Sequence, residues 1–403
     1  MRHIYTSIDL GSDTVKALTC ELYNGKLNLL ASSTVKSAGI RKGVIVDFDL
    51  ALASVSKAIG ELENDLGIRI NKVIVNVPSY FSDFNVVRGK VSIEKVVTGA
   101  DIVKVLQNGV KGNIEPGKEM LTVIPIDFAV DDETLLLDPK GKKGKNLFVR
   151  AVLITMPKKN IYSVINLFDK MGIEVEDISI DEIGDLYAFK NEKINNSIGI
   201  VVNIGHNITT VSLFNKGIIV KNSILQMGGS NVTNDLSYIF KLDLKEAEMV
   251  KEKFAVAKAE YASVNDVISI NNIKLNQKEV SEVVESRLEE ILNFVKKEIY
   301  SLTDKQFSYI IITGGTVNIN YFDVLLKQVL GENASIGKVK LLGASDNRYS
   351  SVIGNTVYYI NKLKLKGENS TMVDSENETI LSSPRKNTNE TMISKVINFF
   401  ANE

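Results

Sequence analysis

With 403 residues, 44% of them hydrophobic and 24% charged, the chain has the composition of an ordinary globular protein long enough for two or three domains. A net charge of -1 argues against a surface built for nucleic acid, so no nucleic-acid partner is expected. The single cysteine, Cys20, excludes an internal disulfide, and no apolar run approaches the ~18 residues needed to cross a bilayer.

The first predicted element is a β-hairpin with a glycine turn. Alternating runs over residues 5–10 and 15–22 flank the turn. Backbone N–H groups of such a turn can approach an anionic oxygen, while hydroxyls and a lysine add donors. Asp9, at the strand end, is placed to hold Mg2+ through water. An ordinary hairpin turn remains the alternative for this motif alone. The candidate anion ligands are Gly11, Ser12, Asp13, Thr14 and Lys16.

A third strand over residues 26–35 extends the hairpin to a meander, and a helix follows. Its apolar residues recur every three or four positions, with Asp49 as the predicted N-cap and Gly67 as the end. A buried strand over 72–77 stops at Pro78. This order of elements predicts a sheet covered by one helix.

Residues 79–157 have a different pattern, which predicts a small inserted α+β domain. Strand-like runs cover 84–92, 120–130 and 147–155, and one helix-like run covers 100–110. An ordinary surface insertion is the alternative. After it, an amphipathic helix over 159–172 and a strand over 175–180 return to the first pattern.

The glycine hairpin then occurs a second time, over residues 198–213. Its turn carries Asn203, Gly205, His206, Asn207 and Thr209. Two copies of one hairpin suggest two pseudo-symmetric halves that face each other across a cleft. A buried strand then ends in a glycine pair that lets a flat ligand approach the backbone. That last motif consists of Gly314, Gly315 and Thr316.

These three motifs, in this order, resemble the phosphate-1, phosphate-2 and adenosine motifs of the actin, Hsp70 and sugar-kinase superfamily, and the resemblance covers roughly residues 1–365. The connector over 38–45 and the inserted block resemble the FtsA family. The resemblance implies an α/β, actin-like (ribonuclease H-like) two-domain ATPase fold, with an inserted α+β subdomain (1C) and a C-terminal amphipathic helix.

The resemblance also implies boundaries for the parts of the chain. Subdomain 1A would comprise 1–81 with 158–190, and subdomain 1C would comprise 82–157. Subdomain 2A would comprise 191–228 with 305–365, and subdomain 2B would comprise 229–304. A flexible linker over 366–388 and a membrane-targeting helix over 389–403 would complete the chain.

In the family, ATP with Mg2+ lies between the two halves. The second-half helix after Gly228 and Gly229 would face phosphate, and Glu248 with Lys251 would reach the ribose and adenine, although an exposed ion pair is the alternative for those two. The nucleotide ligands implied in this way are Asp9, Gly11, Ser12, Asp13, Thr14, Lys16, Asn203, Gly205, His206, Asn207, Thr209, Gly228, Gly229, Glu248, Lys251, Gly314, Gly315 and Thr316.

No catalytic residue can be assigned, and the weak candidates are Asp9, Asn203 and Glu182. Asn203 stands where most of the superfamily has an aspartate that orients Mg2+ and the attacking water. An amide cannot take a proton from water, so slow or absent ATP hydrolysis is predicted, with binding retained.

The end of the chain carries an apolar stripe at helical spacing behind a polar tether. Such an apolar face must be covered by a membrane, by a partner protein or by the body of the protein itself. The resemblance favours the inner leaflet of the membrane. The expected membrane-binding residues are Met392, Ile393, Val396, Ile397, Phe399 and Phe400. The family's second half binds the C-terminal tail of FtsZ. The cations proposed for that contact are Arg287, Lys296 and Lys297.

The implied function is an ATP-binding actin homologue that polymerises on the cytoplasmic face of the membrane at the division septum. It would anchor FtsZ filaments there and recruit later division proteins. A small-molecule kinase of the same fold is one alternative, but it would need a carboxylate base beside an acceptor pocket. A PilM-like pilus-assembly ATPase is the other, and it would leave the terminal helix without a role.

Overall fold

The structure of the protein, a computed structural model, describes residues 2–271, 273–339, 341 and 346–382. The strands are β1 (Arg2–Leu10), β2 (Thr14–Tyr23), β3 (Lys26–Lys36), β4 (Ile40–Arg41), β5 (Val44–Ile45), β6 (Lys72–Val77), β7 (Asp83–Ser92), β8 (Lys118–Val130), β9 (Glu133–Leu136), β10 (Asn146–Pro157), β11 (Glu174–Ile180), β12 (Ile198–Ile204), β13 (Thr209–Asn215), β14 (Ile218–Leu225), β15 (Val267–Ile270), β16 (Ile273–Asn276), β17 (Ile310–Thr313) and β18 (Ala334–Ile336). The helices are α1 (Phe48–Leu66), α2 (Gly99–Val110), α3 (Lys158–Asp169), α4 (Asp181–Phe189), α5 (Glu192–Asn196), α6 (Gly229–Phe240), α7 (Leu244–Lys253), α8 (Gln277–Leu302), α9 (Phe322–Leu330), α10 (Ser350–Lys366) and α11 (Ser375–Ser382).

Two five-stranded sheets have the same plan. The first has the order β11-β6-β1-β2-β3, and the second has the order β18-β17-β12-β13-β14. In each sheet a central strand forms an antiparallel hairpin with the next strand of the chain and a parallel pair on its other edge. Because the carboxyl ends of β1 and β12 lead directly into the glycine turns, each half presents its turn at the same edge of its sheet.

The helix α1 packs on the first sheet through one apolar face, as the spacing predicted. Its N-cap is Asp47, whose side chain accepts a hydrogen bond from the backbone N–H of Leu50. The prediction of Asp49 as the N-cap was wrong by two residues. Asp47 and Asp49 both carry a side chain that can cap a helix, and the apolar pattern does not distinguish them. Gly67 ends the helix with a left-handed φ of 70°.

The inserted block forms a separate four-stranded sheet, of order β7-β10-β8-β9, with α2 on one face. It has its own apolar cluster, which includes Phe128, Leu147 and Val105. The backbones of β7 and α2 touch at Gly89, where a Cβ would lie 2.1 Å from the carbonyl oxygen of Val105. The α+β composition predicted for this block is therefore confirmed.

Two helices that connect the halves, α4 and α10, cross at a pair of glycines. A Cβ at Gly354 would lie 1.7 Å from the carbonyl oxygen of Gly184, so the two backbones are in direct contact there. The helix α8, which packs in the second core, begins at Gln277. Asn276 caps it, because its side chain accepts a hydrogen bond from the N–H of Lys278.

The linker predicted over 366–388 is wrong in its first part, because residues 371–373 contact the start of β1 and α11 follows. The predicted membrane-targeting helix, with its six apolar candidates, lies outside the described residues. Within the described ranges, no helix is both long enough and apolar enough to span a bilayer.

Candidate functional site

A cleft of about 390 Å³ lies between the two halves and is lined by both glycine turns. The strand ends of the two sheets face it from opposite sides, and the turn after β17 forms its floor. The structure brings most of the predicted nucleotide ligands to this one cleft. Those that line it are Asp9, Gly11, Ser12, Asp13, Thr14, Lys16, Asn203, Gly205, His206, Asn207, Gly229, Glu248, Lys251, Gly314, Gly315 and Thr316.

Two predicted ligands do not line the cleft. Thr209 is fully buried, and its hydroxyl donates to the carbonyl oxygen of Met227 over 2.9 Å. Its neighbour Thr210 lines the cleft instead. Gly228 is the N-cap of α6, and its N–H donates to the Asn231 side chain over 2.9 Å. Adjacent residues of a turn point to opposite sides, and the glycine pattern does not show which side faces the cleft, so nucleotide binding by these two residues stays a prediction.

The first turn carries a buried ion pair. The Lys16 ammonium lies 2.7 Å from Oδ2 of Asp9, and both side chains are largely buried. Burial alone would lower the pKa of Lys16, but the Asp9 carboxylate raises that pKa above its ordinary value. Oδ1 of Asp9 is buried and has no hydrogen-bond partner among the described residues. A free carboxylate oxygen beside a lysine, at the edge of a cleft, suits a hydrated divalent cation.

The second turn has the same backbone plan without the ion pair. Asn203 takes the position that Asp9 has in the first half, and its side-chain amide donates to Oδ2 of Asp185 over 2.7 Å. Nδ1 of His206 lies 3.7 Å from Oδ1 of Asp13, so the two turns nearly touch across the cleft. Burial holds the pKa of His206 below its usual range, although Asp13 opposes that effect. The imidazole is therefore neutral at pH 7.

The N-terminus of α6 and a buried lysine form the second-half wall. The Lys251 ammonium donates to Oε1 of Glu248 over 2.7 Å, to the hydroxyl of Thr233 over 3.0 Å and to the carbonyl oxygen of Gly229 over 3.3 Å. Lys251 and Glu248 therefore form a partly buried pair that faces the cleft, not an exposed one. The N–H groups of Gly229 and Ser230, at the start of α6, donate to the carbonyl oxygens of Gly205 and His206 over 2.9 and 2.8 Å, so this helix is bonded to the second turn.

The floor of the cleft needs glycine at one position. Gly314 has a φ of +97°, and a Cβ there would lie 2.4 Å from the carbonyl oxygen of Ile204. The side chain of Arg348 lies against Gly315, where a Cβ would be 3.3 Å from it. The Arg348 side chain is therefore packed against the backbone after β17, and both line the cleft.

Three carboxylates at the start of α4 are buried behind the turns. Burial raises the pKa of Asp181 well above its ordinary value, and the neighbouring Asp9 adds to the effect. Burial likewise raises the pKa of Glu182 to about 7 and the pKa of Asp185 to about 6. Glu182 does not line the cleft: it accepts a hydrogen bond from Ser79 over 2.7 Å. As a catalytic candidate it is therefore misplaced, whereas Asp181 does line the cleft.

Several residues that line the cleft were not among the predicted ligands. Three of them, Asp346, Asn347 and Arg348, come from the segment just before α10, which none of the predicted motifs includes. A signal existed, because this segment follows the adenosine motif and begins the second connection between the halves. The additional lining residues include Asp346, Asn347, Arg348 and Ser351, together with Glu252, Lys253 and Asn318.

Polar contacts also bridge the halves beside the cleft. The Lys42 ammonium donates to Oε1 of Gln226 over 2.7 Å, and the amide of Gln226 donates to the Tyr80 hydroxyl over 3.1 Å. Asn222 donates to the Ser79 hydroxyl over 2.5 Å. Ser79 and Tyr80 immediately precede the inserted subdomain, so the second half is hydrogen-bonded to the segment from which that subdomain begins.

The three cations predicted on α8 do not form one free basic patch. Arg287 forms a two-point ion pair with Asp235, with donor to acceptor distances of 2.5 and 3.0 Å. Lys296 donates to the carbonyl oxygen of Val329 over 3.0 Å. Lys297 lies over the ring of Phe294, 5.2 Å from its centroid. Binding of a partner by these residues stays a prediction.

Chemically, the cleft fits a nucleoside polyphosphate with a divalent cation. The hydroxyls of Ser12 and Thr14 and the lysines of both halves can meet phosphate oxygens. The unpartnered Asp9 oxygen fits a water ligand of a divalent metal.

The family comparisons agree with this arrangement. Residues 200–354 match the family model described as cell division protein FtsA, and residues 83–155 match the model of the SHS2 domain inserted in FtsA. The cell division protein FtsA of Bacillus subtilis (strain 168) is 28% identical over 378 residues, covering 90% of this chain and 85% of that protein. That of Streptococcus pneumoniae serotype 2 is 27% identical over 359 residues, covering 87% of this chain and 78% of that protein.

Solved structures show the same fold at low identity. The PilM-PilN type IV pilus biogenesis complex superposes with a TM-score of 0.61 at 12% identity, covering 88% of this chain and 98% of that one. MreB5 of Spiroplasma citri bound to ADP superposes with a TM-score of 0.55 at 13% identity, covering 90% of this chain and 98% of that one. The predicted actin-like fold with an inserted α+β subdomain is confirmed.

Proposed function

This chain belongs to the FtsA family of cell division proteins, and from that premise we propose that it binds ATP with Mg2+ in its cleft. We further propose that it polymerises on the cytoplasmic face of the cell membrane at the septum. There it anchors FtsZ filaments through their C-terminal tails and recruits later division proteins.

The observation that carries the ATP proposal is the convergence of two glycine turns on one cleft. The hydroxyls of Ser12 and Thr14 and the Lys16 ammonium of the first half hold the triphosphate opposite the second turn, so ATP favours the closed arrangement of the halves. Glu248 and Lys251 face the ribose and the base. Bound Mg2+ neutralises phosphate charge, and Asp9 orients it through water.

Hydrolysis is proposed to be slow. Asn203 is uncharged, and its amide is committed to Asp185, so it neither orients a metal strongly nor accepts a proton from water. His206 is neutral, but it faces Asp13 across the cleft. Phosphate release by the purified protein should be slow, and rapid release that is lost when the cleft is altered would overturn this part of the proposal.

Binding is tested by filling the cleft without touching the core. A Cβ at Gly229 would point toward Thr316 and Lys251, at 3.0 and 3.4 Å, so Gly229→Val places methyl groups where the nucleotide would lie. We expect at least a tenfold loss of affinity for a fluorescent ATP analogue, or about 1.4 kcal/mol. Gly60→Val is the matched control, because a Cβ at Gly60 meets nothing within 4 Å.

Membrane and FtsZ binding are proposed from family membership and from the apolar stripe at the end of the chain. A helix with this stripe lies in the membrane interface, and many copies on one filament bind together. Co-sedimentation with liposomes should retain the full chain but not a chain that ends at residue 388. Addition of ATP should increase retention, and the FtsZ tail peptide should sediment only with the full chain.

A further inference from the structure

The chain does not leave the body where α10 ends. The helix stops at Gly367, and residues 371–373, here called the latch, return to the first sheet. The N–H of Ile4 donates to the Thr371 hydroxyl over 3.0 Å, and the N–H of Met372 donates to the carbonyl oxygen of Ile4 over 2.9 Å. The N–H of Thr6 donates to the Met372 sulfur over 3.4 Å. The latch is thus bonded to a central strand.

The latch fills a gap that the sheet itself leaves. β6 pairs with β1 only from Ser7 to Asp9, so the edge of β1 before Ser7 has no strand beside it. Buried backbone groups without hydrogen-bond partners destabilise a folded protein. The latch supplies those partners, and Met372, only 5% exposed, packs with Tyr5, Ile74 and Tyr359.

The attachment continues through α11. Asp374 precedes this helix and accepts a hydrogen bond from the N–H of Asn377 over 2.8 Å. Leu381, near its end, packs against the first core. The chain is therefore held to the body as far as the end of α11.

The position of this attachment limits how far residues 389–403 can lie from the body. From α11 to the predicted amphipathic helix at 389–403 there are only residues 383–388, six in all. Six residues span at most about 20 Å, whereas a chain released at Gly367 would span about 75 Å. Arg385 and Lys386 lie within these six residues, and cations beside an anionic surface are attracted to it.

The surface next to the latch suits a lipid headgroup layer. Leu22 and Leu27, which flank the turn between β2 and β3, pack against the cluster that contains Met372. That turn exposes Tyr23, at 49% of its surface, together with Lys26. A tyrosine and a lysine are side chains that place an apolar body and a polar tip at a membrane interface.

We propose that the latch orients the protein on the membrane: it shortens the tether and turns the β2–β3 turn of the first half toward an anionic bilayer. The proposal rests on the proposed function, in which residues 389–403 bind lipid. Releasing the latch would leave binding intact but would let the body lie at any angle and at a greater distance.

The first experiment needs no membrane. Amide hydrogen exchange at Ile4 and Thr6 is measured in the full chain and in the double variant Thr371→Ala with Met372→Ala. We expect about tenfold faster exchange at both amides in the variant. Ile380→Ala is the matched control, because Ile380 lies in the same segment and is 44% exposed. Equal exchange rates in all three proteins would show that the latch does not protect these two amides, and would contradict the proposal.

The second experiment measures orientation on vesicles that contain phosphatidylglycerol. A donor fluorophore is attached at Asn28→Cys, near the β2–β3 turn, or at Lys305→Cys in the second half, each in a Cys20→Ser background, with acceptor lipid in the vesicle. Energy transfer should be greater from position 28, and the difference should shrink in the double variant. Equal transfer from both sites in the otherwise unaltered chain would overturn the proposed orientation.

Sedimentation of the same samples separates the two failures. If the chain binds vesicles but both donors transfer equally, only the orientation is wrong. If the chain does not bind vesicles at all, the proposed membrane function fails and the orientation fails with it. The exchange result stands in either case as a measure of the latch itself.

Discussion

The two glycine turns share a backbone plan but differ in charge. In the first, Asp9 pairs with Lys16 over 2.7 Å, and both face the cleft. In the second, the matching residue Asn203 is neutral and donates to Asp185 of the connecting helix α4. The comparison teaches that one half carries a buried charged pair at the cleft, while the other uses its polar residue to bind the helix that connects the halves.

The largest expected effect comes from breaking the charged pair. Lys16→Met leaves the Asp9 carboxylate buried without its cation, so the free energy of unfolding should fall by about 3–5 kcal/mol. Urea unfolding measures this. Lys36→Met is the control, because its pair with Asp13 leaves the lysine 70% exposed, and a loss of at most about 1 kcal/mol is expected. Similar losses in the two variants would contradict the central role of the first turn.

The same substitution should affect the two turns unequally. A Cβ at Gly11 would lie 2.5 Å from the carbonyl oxygen of Thr14, but a Cβ at Gly205 would lie 3.0 Å from that of Ile208. Gly11→Ala should therefore cost about 2–3 kcal/mol and weaken ATP binding, whereas Gly205→Ala should cost about 1 kcal/mol or less. Thermal unfolding with and without ATP tests this, and the reverse order would show that the first turn can relax.

Asn203→Asp tests why the second turn is neutral. The new carboxylate would lie beside Oδ2 of Asp185, which is now 2.7 Å from the amide. Two adjacent buried carboxylates repel, so stability should fall by about 1–3 kcal/mol at pH 8 and by less at pH 5. The double variant Asn203→Asp with Asp185→Asn exchanges the partners and should recover most of the loss. If the double variant does not recover stability, the contact with Asp185 does not explain why position 203 is an asparagine.

A further effect concerns Glu182 and Asp185, two of the three α4 carboxylates whose pKa is raised, to about 7 and about 6. Between about pH 4 and pH 7 these two groups hold protons in the folded protein that they have lost in the unfolded chain. Their contribution to stability is therefore greatest at low pH, decreases as pH rises across this window and is constant above it. Glu182→Gln should flatten the profile of melting temperature against pH. An unchanged profile would show that other titratable groups cause the pH dependence of the melting temperature.

Much of the fold followed from local patterns. Alternation of apolar residues predicted the strands of both sheets, and the repeated hairpin predicted two similar halves. The errors are also informative. The N-cap of α1 is Asp47 and not Asp49. The apolar pattern predicted the helix, but it could not show which of two nearby aspartates accepts the capping hydrogen bond.

For the candidate site, too, local patterns predicted some features and missed others. The glycine turns marked the cleft, because a turn that lets backbone approach a ligand needs residues without bulky side chains. The pattern could not show that Thr209 faces inward, that Glu182 bonds Ser79, or that Arg348 reaches the cleft from the far end of the chain. Each of these depends on which segments pack together.

By itself, the sequence determined the two strand-turn-strand units, their order and the neutral residue in the second turn. Each of these features depends only on residues that are close together in the chain. Only the tertiary structure decided that Asn203 faces Asp185, and that Met372 completes the start of β1. The physical reason is distance along the chain. A periodic pattern reports which side of an element is buried, but the partner of a polar group is chosen by the packing of segments far apart in sequence.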